Sequence, residues 1–146
     1  MQLKNTRGFT LVELLIALMI MGIMAAIAVP RFSGLIKNYR LTNAARIVWL
    51  DLHRAKMMAI KQGRTMRVDF TATSYNIVRV DTAAVVLSRN LLVDYPSVTF
   101  DTTATTPSVS FGSTGTANGG TVVIQQGPTS SKHFTIALTG RIGRIP

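Results

Sequence analysis

Cysteine is absent from this chain and acidic residues are scarce, with six Asp and Glu against 16 Lys and Arg in 146 residues. Without cysteine there can be no disulfide, thiolate metal site or thiol nucleophile. Small exported domains often rely on disulfides, so packing and assembly must stabilise this one. The two histidines, His53 and His133, stand apart and away from any cluster of carboxylates. No metal and no cofactor are therefore expected. His53 also has Arg54 and Lys56 nearby, cations that oppose its protonation. Serines and threonines are plentiful, but no G-x-S-x-G elbow occurs. Gly112-Ser113-Thr114-Gly115 lacks a following Lys-Ser/Thr pair, so it is not a phosphate loop. Trp49 and the Met57-Met58 pair read as helix packing. These absences weigh against an enzyme.

Long apolar sequence is abundant at one end. From Phe9 to Val29 the only charged side chain is Glu13. A run of that length crosses a hydrocarbon layer of about 30 Å as a helix. A carboxylate inside it costs roughly 2.5–3.5 kcal/mol on insertion scales and marks a functional site. The length of the chain allows one domain plus such an anchor. An ordinary secretory signal is the competing reading, with Ala26-Ile27-Ala28 as its small-x-small cleavage site. A plain single-span anchor is the third, but it gives Glu13 no task.

The order of features before and within this run is distinctive: a short leader with Lys4 and Arg7, then Gly8, Phe9, Glu13 and the unbroken apolar stretch. It resembles the class III signal of type IV pilins and type II secretion pseudopilins. The resemblance implies a leader over residues 1–8, cut by a membrane prepilin peptidase between Gly8 and Phe9. Phe9 would then be the N-methylated terminus. Residues 9–30 would form the transmembrane and filament-core helix, and Gly22 and Pro30 stand where pilins carry a glycine and a proline. Pro30 cannot donate to the carbonyl of Ala26, so a bend is expected there, with Gly22 as a second weak point. After cleavage the Phe9 amine is a cation on an apolar helix, and a carboxylate would neutralise it where an unpaired charge is very costly. Pairing within one chain satisfies both groups, whereas pairing between subunits also sets axial register. The resemblance implies the second, Glu13 to a neighbour's Phe9. A glutamate snorkelled to water is the bland alternative.

Beyond Pro30 the positions Leu41, Ala45, Val48, Leu52, Ala55 and Ala59 are spaced four, three, four, three, four. This is one helical stripe, which makes residues 31–63 an amphipathic stalk helix. Gly63 is its natural stop, with Lys61 in the last turn. Residues 64–146 read as a β-rich head. Thr65–Phe70 and Tyr75–Val80 alternate as half-buried strands, and Ala84–Leu87, Val98–Phe100, Ser108–Phe111, Thr121–Gln125 and Phe134–Leu138 are further candidates. Short connections predict antiparallel pairing. The core of so small a head requires the helix stripe to cover a sheet face. The fold class is thus α+β, a long N-terminal helix on a small antiparallel head.

The run Leu52–Gly63 followed by the Val68 strand resembles the GspH/FimT group of minor pilins and pseudopilins. Phe111–Gly115 resembles its mid-domain strand and glycine turn, and Thr139–Arg144 its terminal Gly-Arg element with an extra glycine, Gly143, between the arginines. The resemblance implies a structural subunit of a type IV pilus or a type II secretion pseudopilus. Its partners would be other pilin-type subunits, the prepilin peptidase, an inner-membrane assembly platform and lipid. It would sit in the bacterial inner membrane with a periplasmic head, and then in the filament. The lack of an acidic ligand cluster argues against the calcium-stabilised major pseudopilin type.

After Pro30 there are 14 Lys and Arg against five Asp. A surface this basic favours anionic partners. Some FimT-type pilins bind DNA, and the resemblance implies Arg141 and Arg144 as phosphate contacts, with Lys132 nearby. Arg64, Arg67 and Arg79 on the first hairpin add to that surface. Such contacts give salt-dependent, sequence-independent affinity. Tyr75, Tyr95 and Phe134 are not interleaved with arginines, so no stacking platform for single strands is expected. A solvated basic face, or one aimed at phospholipid headgroups, accounts for the same residues.

Overall fold

The computed structural model describes residues 9–128 and 130–143, the side chains at 29–31 excepted. Helix α1 spans Leu11–Gln62. It is followed by β1 (Met66–Phe70), β2 (Ser74–Arg79), β3 (Val85–Asn90), the short helix α2 (Leu91–Asp94), β4 (Thr99–Phe100), β5 (Ser108–Phe111), β6 (Gly120–Gln126) and β7 (Ser130–Ile136). By contacts the chain divides into two units, one ending at Ile36 and one starting at Lys37.

In the first unit, α1 buries almost none of its apolar surface. Leu11, Leu14, Leu15, Leu18, Ile23 and Met24 are all more than half exposed. Helical assignment continues through positions 22 and 30. A Cβ added at Gly22 would meet nothing within 4 Å.

In the second unit the same helix is a core element. Leu41, Ala45, Val48, Leu52, Ala55 and Ala59 are each 1 % exposed or less, so the whole expected stripe is buried. Alanine at three of the six positions lets strands approach the helix closely, while the larger members supply roughly 1.5–3 kcal/mol apiece on burial. α1 ends in a Schellman arrangement. Arg64 N donates to Ala59 O at 3.1 Å and Gly63 N to Ile60 O at 3.3 Å, with Gly63 at φ 63°.

The strands form two antiparallel sheets, ordered β3-β2-β1-β5 and β4-β6-β7. Met66, Val68, Ile77, Val109 and Phe111 of the first share one hydrophobic core with Phe100, Val122, Ile124, Phe134 and Ile136 of the second and with the α1 stripe. Phe70, Tyr75 and Phe100 stack where the sheets meet, with ring centroids 5.2–6.0 Å apart.

Three local differences from the sequence-based expectation stand out. The last strand starts at Ser130, not Phe134, because the turn at Gly127 (φ 68°) pairs polar Ser130 with Gln126. β3 extends to Asn90, held by β2 through Ser74. Helix α2 was not expected. Asn90 caps it by accepting from Leu92 N at 3.0 Å, and Leu91 is buried beneath it.

Candidate functional site

The first site is the start of α1. Thr10 and Glu13 make a reciprocal capping box. Glu13 N donates to Thr10 Oγ1 at 3.2 Å, and Thr10 N and Oγ1 both donate to Glu13 Oε2 at 3.1 Å. The first intrahelical bond, Leu14 N to Thr10 O, closes at 3.2 Å. The Thr-x-x-Glu spacing was present in the sequence as a helix-start signal, and it gives Glu13 a local role beside the one expected at assembly. Phe9 is 86 % exposed immediately before the cap. Both bonds from Thr10 fall on one carboxylate oxygen, and among the described residues no donor reaches Oε1. Gly8 lies outside the described residues.

The second site is the basic C-terminal segment. After β7 the chain turns at Gly140 and runs back along the strand. Ile136 bridges Ile142, Ala137 N donates to Arg141 O at 2.9 Å, and Gly143 N donates to Thr135 O at 2.8 Å. Two side chains of α1 hold this return. Trp49 Nε1 donates to Gly143 O at 2.9 Å, and Lys56 Nζ to Gly140 O at 3.0 Å. Gly140 has φ 74°, and a Cβ there would lie 1.8 Å from the carbonyl oxygen of Gly115.

Ile142 is buried beside Ile136, and Arg141, one residue earlier, is exposed. Arg141 lines a groove of about 240 Å³ with Thr135, Ala137 and Gly143. Strand alternation puts Lys132 on the face of Phe134 and Ile136, and Arg141 on the opposite one. The fold therefore does not bring these two cations onto one surface. Arg144 lies outside the described residues.

The hairpin arginines are engaged within the chain. Arg64 pairs with Asp81 at 3.3 Å, Arg67 with Asp69 at 2.7 Å, and Arg79 Nη2 donates to Gln62 Oε1 at 2.8 Å. Among the described residues no carboxylate pairs with Arg141.

The sequence reading missed a buried polar group. Asp51, 5 % exposed on α1, accepts from Tyr75 Oη at 2.6 Å and from Arg89 Nε at 3.1 Å. Arg89 also reaches Asp94 at 3.4 Å. Burial and the Asp51 hydrogen bond push the Tyr75 phenol far above its ordinary range. The group ties α1 to β2, β3 and α2, and its signal was an acid one residue before Leu52 of the apolar stripe. His53 stacks against Trp49 with ring centroids 4.1 Å apart. Burial, and then the Lys56 charge, hold its imidazole below the usual value. Among the described residues no group of three His, Asp or Glu converges as a metal site would require.

The family model for type II transport protein GspH matches residues 44–140, and that for the prokaryotic N-terminal methylation motif matches residues 3–29. Two fimbrial proteins of Pseudomonas aeruginosa are each 36 % identical over 77 residues, which is 51 % of this chain and 49 % of theirs. The chain thus spans about half the length of the curated relatives it matches. The crystal structure of the P. aeruginosa type IV minor pilin FimU in one crystal form superposes with a TM-score of 0.61 at 18 % identity, covering 75 % of this chain and 94 % of that one. In a second crystal form the score is 0.58 at 21 % identity, covering 73 % and 92 %. These superpositions establish a shared fold. Together with the GspH match across the stripe and both sheets, and the methylation motif on the apolar run, they show that the chain belongs to the GspH family of type IV pilin-like proteins.

Proposed function

We propose that this protein is a minor pilin or pseudopilin, a structural subunit that is held in the bacterial inner membrane before joining a type IV pilus or type II secretion pseudopilus. Cleavage between Gly8 and Phe9 by a prepilin peptidase, with N-methylation of Phe9, frees a cationic terminus. Residues 9–30 then pass from lipid into the filament core through the assembly platform. Residues 31–63 form the stalk, and residues 64–146 form the periplasmic head. Glu13 pairs with the Phe9 amine of a neighbouring subunit. Gly22 and Pro30 give the helix the compliance this transfer needs. The chain carries out no chemistry of its own in this role.

The observation that carries the reading is the N-terminal half of α1. It is an exposed apolar surface whose one carboxylate, four residues after Phe9, keeps an oxygen that no donor reaches among the described residues. Such a surface requires either lipid or other helices around it. Glu13→Leu tests it. The variant should still be trimmed to Phe9, as read by mass spectrometry, yet lose incorporation into sheared filaments. Wild-type incorporation by Glu13→Leu would overturn the pairing, and a mature terminus at Val29 would overturn the leader assignment.

A DNA-capturing role is the second reading, supported by the exposure of Arg141 and its lack of a carboxylate partner among the described residues. Its measurement is a duplex DNA mobility shift with steep salt dependence. Arg141→Ala combined with Arg144→Ala should abolish that shift, and unchanged binding by the double variant would remove the tail from consideration.

A further inference from the structure

The chain's acids and cations are distributed unequally between internal and external use. All six carboxylates have partners within the chain. Glu13 caps Thr10, Asp51 and Asp94 hold Arg89, Asp69 holds Arg67, Asp81 holds Arg64, and Asp101 accepts from Thr103 and Ala104. The cations of α1 differ. Arg46, Arg54 and Lys61 are exposed, and among the described residues no carboxylate lies within ion-pairing distance of them. With Leu50 (46 % exposed) and Met57 (62 %) they make one stripe, Arg46-Leu50-Arg54-Met57-Lys61, spaced four, four, three, four. That stripe runs along the face of α1 opposite the one buried in the core.

We propose that this stripe is a docking surface for a different protein subunit, one that presents an apolar groove rimmed by Asp and Glu. The proposal rests on the assembly reading above and specifies the neighbour. Two apolar anchors at Leu50 and Met57, flanked by cations, match a helix-in-groove contact with complementary charge at its rim. A second copy of this chain does not fit. Among the described residues four of its carboxylates already hold arginines, Glu13 and Asp101 stand apart from each other in sequence, and no three acids converge to rim a groove, while stacking stripe on stripe sets cation against cation. A membrane surface fits poorly, because an interfacial helix needs a separate apolar face, and α1 has buried that face against its sheets. Nucleic acid would leave Leu50 and Met57 against phosphates. The acidic partner must therefore be heterotypic, and this chain joins a mixed assembly.

The test is photo-cross-linking of the full-length chain in cells that carry the assembly machinery. A benzophenone amino acid is placed at Leu50, at Met57 and, as the assembly control, at Leu18. Leu50 and Met57 should yield adducts with a different protein, the cross-linked peptides lying beside Asp or Glu. Reversal of charge in Arg46→Glu/Arg54→Glu/Lys61→Glu should lower those adducts about tenfold, since each exposed pair contributes a few tenths to one kcal/mol. Arg46→Lys/Arg54→Lys should retain them, which separates charge from folding. Adducts to a second copy, to lipid or to nucleic acid would overturn the inference, as would yields indifferent to charge reversal. If Leu18 still reaches a pilin-type subunit in those cases, the assembly reading survives. Loss of adducts at all three positions overturns both.

Discussion

At the scale of single residues, the side chains that matter most are the polar ones that meet apolar surroundings. Asp51 is held by Tyr75 and Arg89 in the core. Asp51→Ala leaves the buried Tyr75 phenol without its acceptor and Arg89 with Asp94 alone, and an unsatisfied buried donor costs about 1–3 kcal/mol. Chemical denaturation of the full chain in detergent should show the lowered midpoint, with Tyr75→Phe costing less. His53 provides a pH signature. Its folded-state value is depressed from 6.5 by burial and by Lys56. Well above 6.5 both the folded and the unfolded imidazole are neutral and contribute no slope. Below it the unfolded chain binds the proton first, so stability falls with pH until the folded imidazole is also protonated. Thermal unfolding followed from pH 7.5 to 5, values that bracket the ordinary histidine range, should show this fall, and His53→Gln should flatten it.

At the scale of elements, the C-terminal return along β7 depends on glycine geometry and on α1. Gly140 combines a positive φ with a near contact to the backbone at Gly115. Gly140→Ala should therefore destabilise the head by more than the roughly 1–3 kcal/mol of backbone strain alone. Trp49→Phe removes the donor to Gly143, a loss of about 1 kcal/mol, together with part of the ring that stacks on His53. Hydrogen exchange should then speed up at the Gly143 amide ahead of global unfolding. Helix boundaries were legible because Gly63 is a sequence-local stop and the stripe from Leu41 to Ala59 is periodic. The start of β7 was not legible. Ser130, Ser131 and Lys132 carry no strand preference, and their pairing with β6 is imposed by the turn at Gly127 and by the inward positions of Phe134 and Ile136.

At the scale of the whole molecule, the surplus of positive charge acquires a direction. Arg64, Arg67 and Arg89 are neutralised by aspartates, whereas among the described residues Arg141 and the outer cations of α1 have no carboxylate partner. Such a chain should not polymerise by itself. Produced with the assembly machinery but without other pilin-type subunits, it should give no filaments by electron microscopy, and adding the other subunits back should restore incorporation. Homopolymers in the first condition would contradict the mixed assembly.

The sequence alone determined what depends on neighbours along the chain. It specified an apolar run too long to leave in water, a carboxylate set within it, a helix stripe with its glycine stop, and alternation in most strands. Tertiary structure decided what depends on groups far apart in sequence. It separated the strands into two sheets, assigned Asp51 to Tyr75 and Arg89, placed Lys132 and Arg141 on opposite faces, and left the outer cations of α1 without acids among the described residues. The reason is physical. Periodicity and turn preferences act over a few residues, whereas pairing of charges and pleat parity across strands are settled only when distant segments meet in one core.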